Sequence, residues 1–195
     1  MLLYLFYVAT QGTGAGVTYT RWGKSTCPSS TGAQLVYAGR AGGTRWNTRG
    51  GSSDKICLPD DADYHPETAG VTVPVFSVVQ GAEYEYHAGP LANLTQHNAP
   101  CAVCYVPNRA TSIMVPAKTR CPASWTREYY GWLVTERESH YRSTYSCLDY
   151  SPEVIAGGAR DENPSLFYYT FTDCNGLPCP PYMNRRILAC VVCSK

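Results

Sequence analysis

Hydrophobic residues along this chain fall into short runs that are rich in β-branched and aromatic side chains and that often alternate with polar residues. The clearest runs are residues 71–79 (VTVPVFSVV), 83–86 (EYEY) and 166–171 (LFYYTF), and Gly or Pro lies near the ends of each. Runs of this kind are typical of β-strands with one buried face. The pattern therefore predicts a chain built from strands and turns.

The order of the cysteines indicates that the chain contains one module twice. Four cysteines of the first half recur in the second half at offsets of 94, 90, 89 and 89 residues. The matching pairs are Cys27 and Cys121, Cys57 and Cys147, Cys101 and Cys190, and Cys104 and Cys193. A period this long predicts two tandem units. We expect homologous β-rich subdomains at residues 17–104 and 105–195, related by a pseudo-twofold axis, because equal cysteine spacing requires similar backbone paths.

Residues 133–145 are the one helix candidate, because they are free of Gly and Pro. The corresponding part of the first half contains Gly42-Gly43 and Gly50-Gly51, which a helix tolerates poorly. The repeat therefore favours strand and loop in both halves, and we predict an all-β fold.

Residues 1–16 differ in composition from the rest of the chain. An apolar run is followed there by a Gly-rich stretch. The run is too short to span a bilayer and lacks the basic residues that begin a signal peptide. A fragment boundary and an extra strand remain open, and we favour a truncated signal or lead-in segment. The chain is predicted not to span a membrane.

Composition narrows the class of protein. A hydrophobic content of 44% excludes a disordered chain, and a net charge of +1 does not favour nucleic-acid binding. Ten cysteines predict a secreted protein with five disulfides. Residues 17–55 contain six basic residues and one acid, whereas residues 56–100 contain six acids and no Lys or Arg. Two solvated surfaces, or a face that binds anions or a second subunit, would both produce this pattern.

Each half ends in a Cys-x-x-Cys motif, which also occurs in zinc sites and thiol oxidoreductases. The intervening residues are Ala102-Val103 and Val191-Val192, and the flanking residues favour strands. Residues i and i+3 of a strand point to opposite faces, so the two sulfurs need separate partners. No helix start, which would lower a thiol pKa, is predicted nearby. We therefore expect structural disulfides.

The residues around the cysteines resemble those of one protein family. They are 17–28 (VTYTRWGKSTCP), 57–61 (CLPDD), 100–107 (PCAVCYVP), 121–131 (CPASWTREYYG) and the terminal CVVC. They resemble the C-terminal non-collagenous domain of invertebrate short-chain collagens and, more distantly, the duplicated C-terminal domain of basement-membrane (type IV) collagen. The resemblance covers residues 17–195, although no Gly-X-Y tract is present in residues 1–16.

The resemblance implies an extracellular matrix module that self-assembles, with a trimer favoured, and that has no catalytic activity. It also implies the disulfide pairing, which spacing alone leaves open. The implied pairs are Cys27 with Cys104, Cys57 with Cys101, Cys121 with Cys193, Cys147 with Cys190, and Cys174 with Cys179. Exposed edge strands of two small β-rich modules also favour a homo-oligomer that forms by strand exchange or edge pairing.

Motifs for chemistry are few. The sequence contains no metalloprotease, nucleophile-elbow, phosphate-loop or dinucleotide motif, so we expect neither an enzyme nor a cofactor. Asp60, Asp61 and Asp63 form a weak calcium candidate, because they lack the glycine and distal glutamate of an EF-hand. Asn93 begins the one usable N-glycosylation sequon.

A secreted carbohydrate-binding protein is the alternative function. Trp22 and Trp46 lie near Arg21, Arg45 and Arg49 in the sequence. Tryptophans stacked on sugar rings, with arginines on sulfate or carboxylate groups, would suit an anionic glycan. Matrix proteins and acidic glycans are accordingly the expected partners besides a second copy of the chain.

Overall fold

A computed structural model describes residues 15–65 and 75–195. Within these residues the chain forms ten β-strands. They are β1 (Gly16–Trp22), β2 (Gln34–Gly43), β3 (Ile56–Pro59), β4 (Gln80–Tyr84), β5 (Pro100–Pro107), β6 (Ser112–Pro116), β7 (Thr126–Thr135), β8 (Ser146–Asp149), β9 (Ser165–Tyr169) and β10 (Ala189–Ser194). Two short 3-10 helices, Ser29–Thr31 and Ala92–Leu94, are the helical segments of this part of the chain. The prediction of an all-β fold is confirmed.

Several predicted elements have different limits in the structure. The helix candidate 133–145 is a strand up to Thr135 followed by loop, as the repeat predicted. The run 166–171 forms β9, whereas the run 83–86 is strand only as far as Tyr84. Residues 71–74 of the first predicted strand lie outside the described residues, and residues 75–79 are not a strand. The lead-in 1–16 also lies outside them, except for Ala15 and Gly16, where β1 begins.

Strand pairing follows one pattern in each half. In the first half β5 pairs with β1 and β2, and β2 also pairs with β3 and β4. In the second half β10 pairs with β6 and β7, and β7 also pairs with β8 and β9. All of these pairings are antiparallel, and the long β2 and β7 strands each contact three neighbours.

Two parallel pairings join the halves. Strand β4 pairs with β9 in the register Ala82 to Ser165 and Tyr84 to Phe167. Strand β1 contacts β8 through Trp22 and Leu148. All ten strands therefore belong to one hydrogen-bonded sheet that runs across both halves.

The buried residues form two clusters. One lies around the half-cystines and includes Tyr19, Val106 and Tyr129. The other is aromatic and lies where β4 meets β9, and Tyr84 and Phe167 within it are both fully buried. The second cluster takes side chains from both halves, so burial of apolar area holds them together.

Five disulfides link the ten cysteines, and their Cα–Cα distances lie between 5.6 and 5.9 Å. They join the same five pairs that the resemblance implies. Within β5, Cys101 bonds to Cys57 and Cys104 to Cys27, so the two sulfurs of the motif serve different partners. Five disulfides are typical of a secreted or extracellular protein. Within residues 15–65 and 75–195 we find no helix long and apolar enough to cross a membrane.

The two halves share a very close backbone approach that only glycine permits. A Cβ atom at Gly39 would lie 1.8 Å from the carbonyl oxygen of Leu58, and one at Gly131 would lie 1.8 Å from that of Leu148. The two sites correspond in the repeat, since each glycine faces the strand that contains the half-cystine Cys57 or Cys147.

Candidate functional site

The chain after β8 leaves its own half and packs on the first half. We call residues 150–167 the second-half arm. Its backbone hydrogen bonds to the first half include those in which Glu153 N donates to Gly23 O (2.8 Å), Ile155 N donates to Asn98 O (3.0 Å), and Asn98 N donates to Gly158 O (3.1 Å). Backbone donors and acceptors on both sides are satisfied by this contact, which fixes the path of the arm.

Glu153 anchors the arm through its carboxylate. Lys24 Nζ lies 3.0 Å from one carboxylate oxygen, and the Ser25 backbone N and hydroxyl donate to the other at 3.2 and 3.0 Å. Partial burial alone would raise the pKa of Glu153, but these hydrogen bonds outweigh it and the pKa lies below its ordinary value. The charged form of Glu153 is therefore the bound form.

The end of the arm is the most buried part of the junction. Residues Leu166 and Phe167 of β9 are 1% and 0% exposed, because β9 lies against β4. Beside them the buried Glu83 carboxylate accepts the backbone N–H groups of Glu162 and Asn163 at 3.4 and 3.2 Å. Burial is the largest cause that raises the pKa of Glu83 to about 7.

The second half contains a site that matches the one occupied by Glu153. Ala117 N donates to Ala189 O at 2.8 Å, as Gly23 N donates to Pro100 O at 2.8 Å. Both residues have a positive φ, 60° and 83°. Lys118 and Thr119 follow Ala117 as Lys24 and Ser25 follow Gly23.

We call Ala117, Lys118 and Thr119 the second-half acceptor. They line a surface cavity of about 500 Å³. Among the described residues the Lys118 ammonium has no hydrogen-bond or ion-pair partner. The second-half acceptor thus offers a cation and a hydroxyl that nothing within the described chain occupies.

The first-half arm, residues 60–79, follows β3 as the second-half arm follows β8. Its described parts are 60–65 and 75–79. Four apolar side chains of the second part are largely exposed. They are Val75 (85%), Phe76 (73%), Val78 (48%) and Val79 (53%). Exposure of adjacent large apolar side chains is typical of a surface that contacts another molecule.

The residues of the calcium candidate belong to the first-half arm. Asp60 forms an ion pair with Arg40 at 2.8 Å, and Asp61 and Asp63 are exposed. Within the described ranges, the carboxylates close enough to share a cation are Glu83, Glu85 and Asp161, whose oxygens lie within 4.8 Å of one another. All three groups already have partners, because Glu83 accepts two backbone N–H groups, Glu85 contacts His87 at 3.0 Å, and Asp161 accepts the Asn163 side-chain amide.

A second candidate site is a cleft of about 490 Å³ between two loops. The loop 44–55 connects β2 and β3, and the loop 136–145 connects β7 and β8. We call this the basic cleft, since Arg45, Arg49 and Arg142 line it and all three are exposed. Asp54 is the one acidic residue among its lining side chains in the described chain.

A buried ionic network supports the cleft from below. Lys55 Nζ lies 3.7 Å from the Glu136 carboxylate and donates to the Ser143 hydroxyl at 2.9 Å. The same carboxylate contacts His140 Nδ1 at 3.2 Å and accepts the Leu166 N–H at 2.7 Å. Desolvation lowers the pKa of Lys55, and Glu136 opposes that shift. The network fixes both loops and the end of the second-half arm.

The five residues of the predicted glycan site lie in two places. Arg45 and Arg49 line the basic cleft, and Trp46 packs on His140 beside it at 4.3 Å between ring centroids, with the rings tilted by 35°. Arg21 instead pairs with Asp149 at 2.7 Å. Trp22 packs on Phe167 at the junction of the halves. Asn93 of the sequon is exposed on the second 3-10 helix.

Sequence reasoning missed the arm and both acceptor sites, although a sign of them is present in the repeat. Glu153 follows Cys147 by six residues, as Asp63 follows Cys57, and Lys24 precedes Cys27 by three residues, as Lys118 precedes Cys121. The carboxylate and the lysine therefore both recur at the offsets of the neighbouring cysteines.

No protein-family model matches the sequence, and no curated protein is significantly similar to it.

Proposed function

We propose that the protein is an extracellular matrix structural module that assembles with copies of itself through the first-half arm. The observation that supports this proposal most is the unequal burial of the two arms. Leu166 and Phe167 are 1% and 0% exposed, whereas the residues in the corresponding positions, Val78 and Val79, are 48% and 53% exposed. A segment whose counterpart forms a buried intramolecular contact is a natural donor for an intermolecular one.

The proposed contact repeats between chains the contact that joins the two halves of one chain. The first-half arm would add to the second half of a neighbour as β9 adds to β4, a form of strand addition. The place that corresponds to Ala82–Tyr84 is residues 170–172, since Thr172 N donates to Arg186 O as Tyr84 N donates to His97 O. Phe171 at this place is 55% exposed. Asp63 would then reach the neighbour's second-half acceptor as Glu153 reaches Lys24.

This proposal includes the pseudo-twofold relation between two homologous subdomains, 17–104 and 105–195. Matching strand pairings, matching disulfide separations of 44 and 43 residues, and the glycine approaches at Gly39 and Gly131 support it. If the relation holds, donor and acceptor lie on opposite halves of each chain. Such a head-to-tail contact produces closed rings when its rotation closes.

We propose a closed ring of three chains. The family resemblance favours the number three, and a ring leaves no donor arm and no acceptor unused. Closure also covers the exposed apolar residues of the first-half arm, which would otherwise favour aggregation.

The experiment is the mass of the oxidised protein in solution across micromolar concentrations, measured by light scattering and native mass spectrometry. We expect a trimer for the wild type and a monomer for Val78→Asp/Val79→Asp, since two buried charges would disrupt the contact. The control is Leu35→Asp/Val36→Asp, whose side chains on β2 are exposed to a similar extent, 51% and 55%. A monomeric wild type, or equal dissociation of the control, would overturn the proposal.

A secreted carbohydrate-binding protein is the second candidate. The basic cleft favours it, because Arg45 and Arg49 of the predicted glycan site lie there together with Arg142. A strictly monomeric protein that bound acidic glycans would make this candidate the primary one.

A further inference from the structure

The basic cleft is built by equivalent loops of the two halves, and hydrogen bonds hold these loops together. Tyr141 N donates to Trp46 O at 3.0 Å, and Thr144 N donates to Ser53 O at 2.9 Å. Arg49 Nε donates to the Tyr141 hydroxyl at 3.0 Å, which fixes one guanidinium at the rim. A site built from loops that are tied together in this way is ordered before a ligand binds, which reduces the entropy cost of binding.

The charges that face the cleft are mostly positive and mostly unpaired. Neither the Arg45 nor the Arg142 guanidinium group has a hydrogen-bond or ion-pair partner among residues 15–65 and 75–195. Lys55 contributes little to the field at the rim, because Glu136 lies beside it and neutralises it. Asp54 offsets one of the three arginines. The cleft is therefore a positively charged concavity, which attracts and concentrates anions.

Apart from His140 and Tyr141, the remaining walls of the cleft are polar and small. They consist of hydroxyl residues and the glycines of the first loop, namely Thr44, Thr48, Gly50, Gly51, Ser52, Ser53, Ser143 and Ser165. Hydroxyls donate hydrogen bonds to anionic oxygens and to sugar hydroxyls alike. Tyr141 is the one large exposed aromatic side chain among the described lining residues, and its hydroxyl is held by Arg49. The Trp46 ring already packs on His140.

We infer that the basic cleft binds a sulfated polysaccharide through the guanidinium groups of Arg45, Arg49 and Arg142. Guanidinium groups form paired hydrogen bonds with the oxygens of an anionic group, and such bonds are stronger than neutral ones. Three arginines spread over an open cleft match anionic groups that repeat along a chain better than they match one small ion. The inference concerns a site within a single chain, so it is independent of the assembly proposed above.

The test measures binding of a heparin-derived hexasaccharide to the oxidised full chain by calorimetry at fixed ionic strength. We expect Arg45→Gln/Arg49→Gln/Arg142→Gln to lower the affinity about tenfold or more, because the loss of even one charge-assisted hydrogen bond costs roughly a factor of ten. The matched control is Arg160→Gln/Arg185→Gln/Arg186→Gln, which removes three exposed arginines that do not line the cleft. It should change the affinity by about twofold or less, as expected for distant screened charges.

Two further ligands distinguish the class of anion. A hyaluronan hexasaccharide carries carboxylates without sulfate, and an oligoglutamate peptide carries carboxylates on a polypeptide. Both should bind about tenfold more weakly than the heparin hexasaccharide. Hyaluronan carries fewer anionic groups per disaccharide, and the peptide lacks the sugar hydroxyls that the serine and threonine side chains of the cleft can contact.

Four results would overturn the inference. The first is that the wild type does not bind the heparin hexasaccharide, and the second is that the control variant loses as much affinity as the cleft variant. The third is that the cleft variant keeps the wild-type affinity, and the fourth is that the wild type binds either unsulfated ligand as tightly as the heparin hexasaccharide. The native mass of the cleft variant is recorded in the same samples. An unchanged mass with lost glycan binding separates this site from the assembly contact.

Discussion

The frame of each half and the arm that follows it behave differently. The frames, β2–β3–β5 and β7–β8–β10, agree in strand pairing, in disulfide separation and in the glycine against which the next strand packs. The arms are equivalent in position, yet the end of one, at Leu166 and Phe167, is buried against the other half, whereas the corresponding end of the other exposes Val78 and Val79. Covalent links and close backbone contacts leave the frames few alternatives, whereas an arm takes its structure from what it contacts.

This comparison explains where the candidate sites lie. The arms and the two loops of the basic cleft are connections between frame strands, and such connections are free to vary while the strands stay fixed. The frame therefore supplies rigidity, and the connections supply the contacts on which the proposed functions depend.

The largest expected effect is the loss of stability when an inner disulfide is removed, and it should be equal in the two frames. Removal of either inner disulfide, by Cys57→Ala/Cys101→Ala or Cys147→Ala/Cys190→Ala, should lower the free energy of unfolding by about 4 kcal/mol, because the closed loops have nearly the same length, with separations of 44 and 43 residues. Removal of the local bridge Cys174–Cys179, with a separation of 5, should cost about 2 kcal/mol. Urea denaturation measures all three, and a clear inequality between the two inner bridges would contradict the comparison.

A second test uses the glycines of the frames. Gly39→Ala and Gly131→Ala should each cost about 3 kcal/mol or more, because the new methyl group meets a backbone carbonyl that cannot move independently. The control is Gly32→Ala, where φ is 74° and no atom lies within 4 Å of the added Cβ. This control should lower the unfolding free energy by only about 1 kcal/mol, the cost of placing alanine in the left-handed backbone conformation. Costs at Gly39 and Gly131 no larger than in the control would show that the close approach is unimportant.

The frame was more predictable from the sequence than the sites were. Strand segments and the repeat follow from local pattern and cysteine order, and they yield the all-β class. The side chains of the run 71–79 predict a strand, yet its described part, 75–79, is not one, because a strand also needs a partner for its backbone, which sequence pattern does not reveal. Trp22 and Arg21 were assigned to a glycan site by proximity in sequence, whereas tertiary packing places them against Phe167 and Asp149.

A third prediction concerns a difference between the halves. Glu83 is buried at the junction, and the residue in the corresponding position, Phe171, is not ionisable. The pKa of Glu83 is raised from 4.5 to about 7, so the folded state holds a proton that the unfolded state releases between these values. Stability due to the protonated group is present below pH 4.5 and is lost as the pH rises to about 7.

In the wild type the unfolding free energy should therefore fall by about 2 to 3 kcal/mol between pH 5 and pH 8 because of Glu83. Glu83→Gln should remove this part of the decline. Urea denaturation at several pH values measures the decline, and NMR titration of the side chain measures the pKa directly. The pKa of Glu85 is also raised, chiefly by burial, so some pH dependence should remain in the variant. A slope unchanged by the substitution would assign the pH dependence to other groups.

The smallest expected effects are those of substituting Lys24 and Lys118, the two lysines that correspond in the repeat. They should differ in kind. Lys24 pairs with Glu153 within one chain, where the side chains are 19% and 41% exposed. A pair this exposed is worth up to about 1 kcal/mol, so Lys24→Met should lower the stability of each chain slightly at every protein concentration. Lys118 has its proposed partner, Asp63, on a neighbouring chain.

Lys118→Met should accordingly leave the unfolding free energy of the monomer unchanged and weaken association by about fivefold or less, as expected for one exposed ion pair. Asp63→Lys should weaken association further, because two like charges then meet, and the exchange Asp63→Lys/Lys118→Asp should restore it. Sedimentation over a range of protein and salt concentrations measures these changes, and the wild-type advantage should shrink as salt rises. If the exchange fails to restore association while both single variants reduce it, Asp63 and Lys118 do not contact each other, and the arm binds its neighbour in a different register from the one that joins the halves.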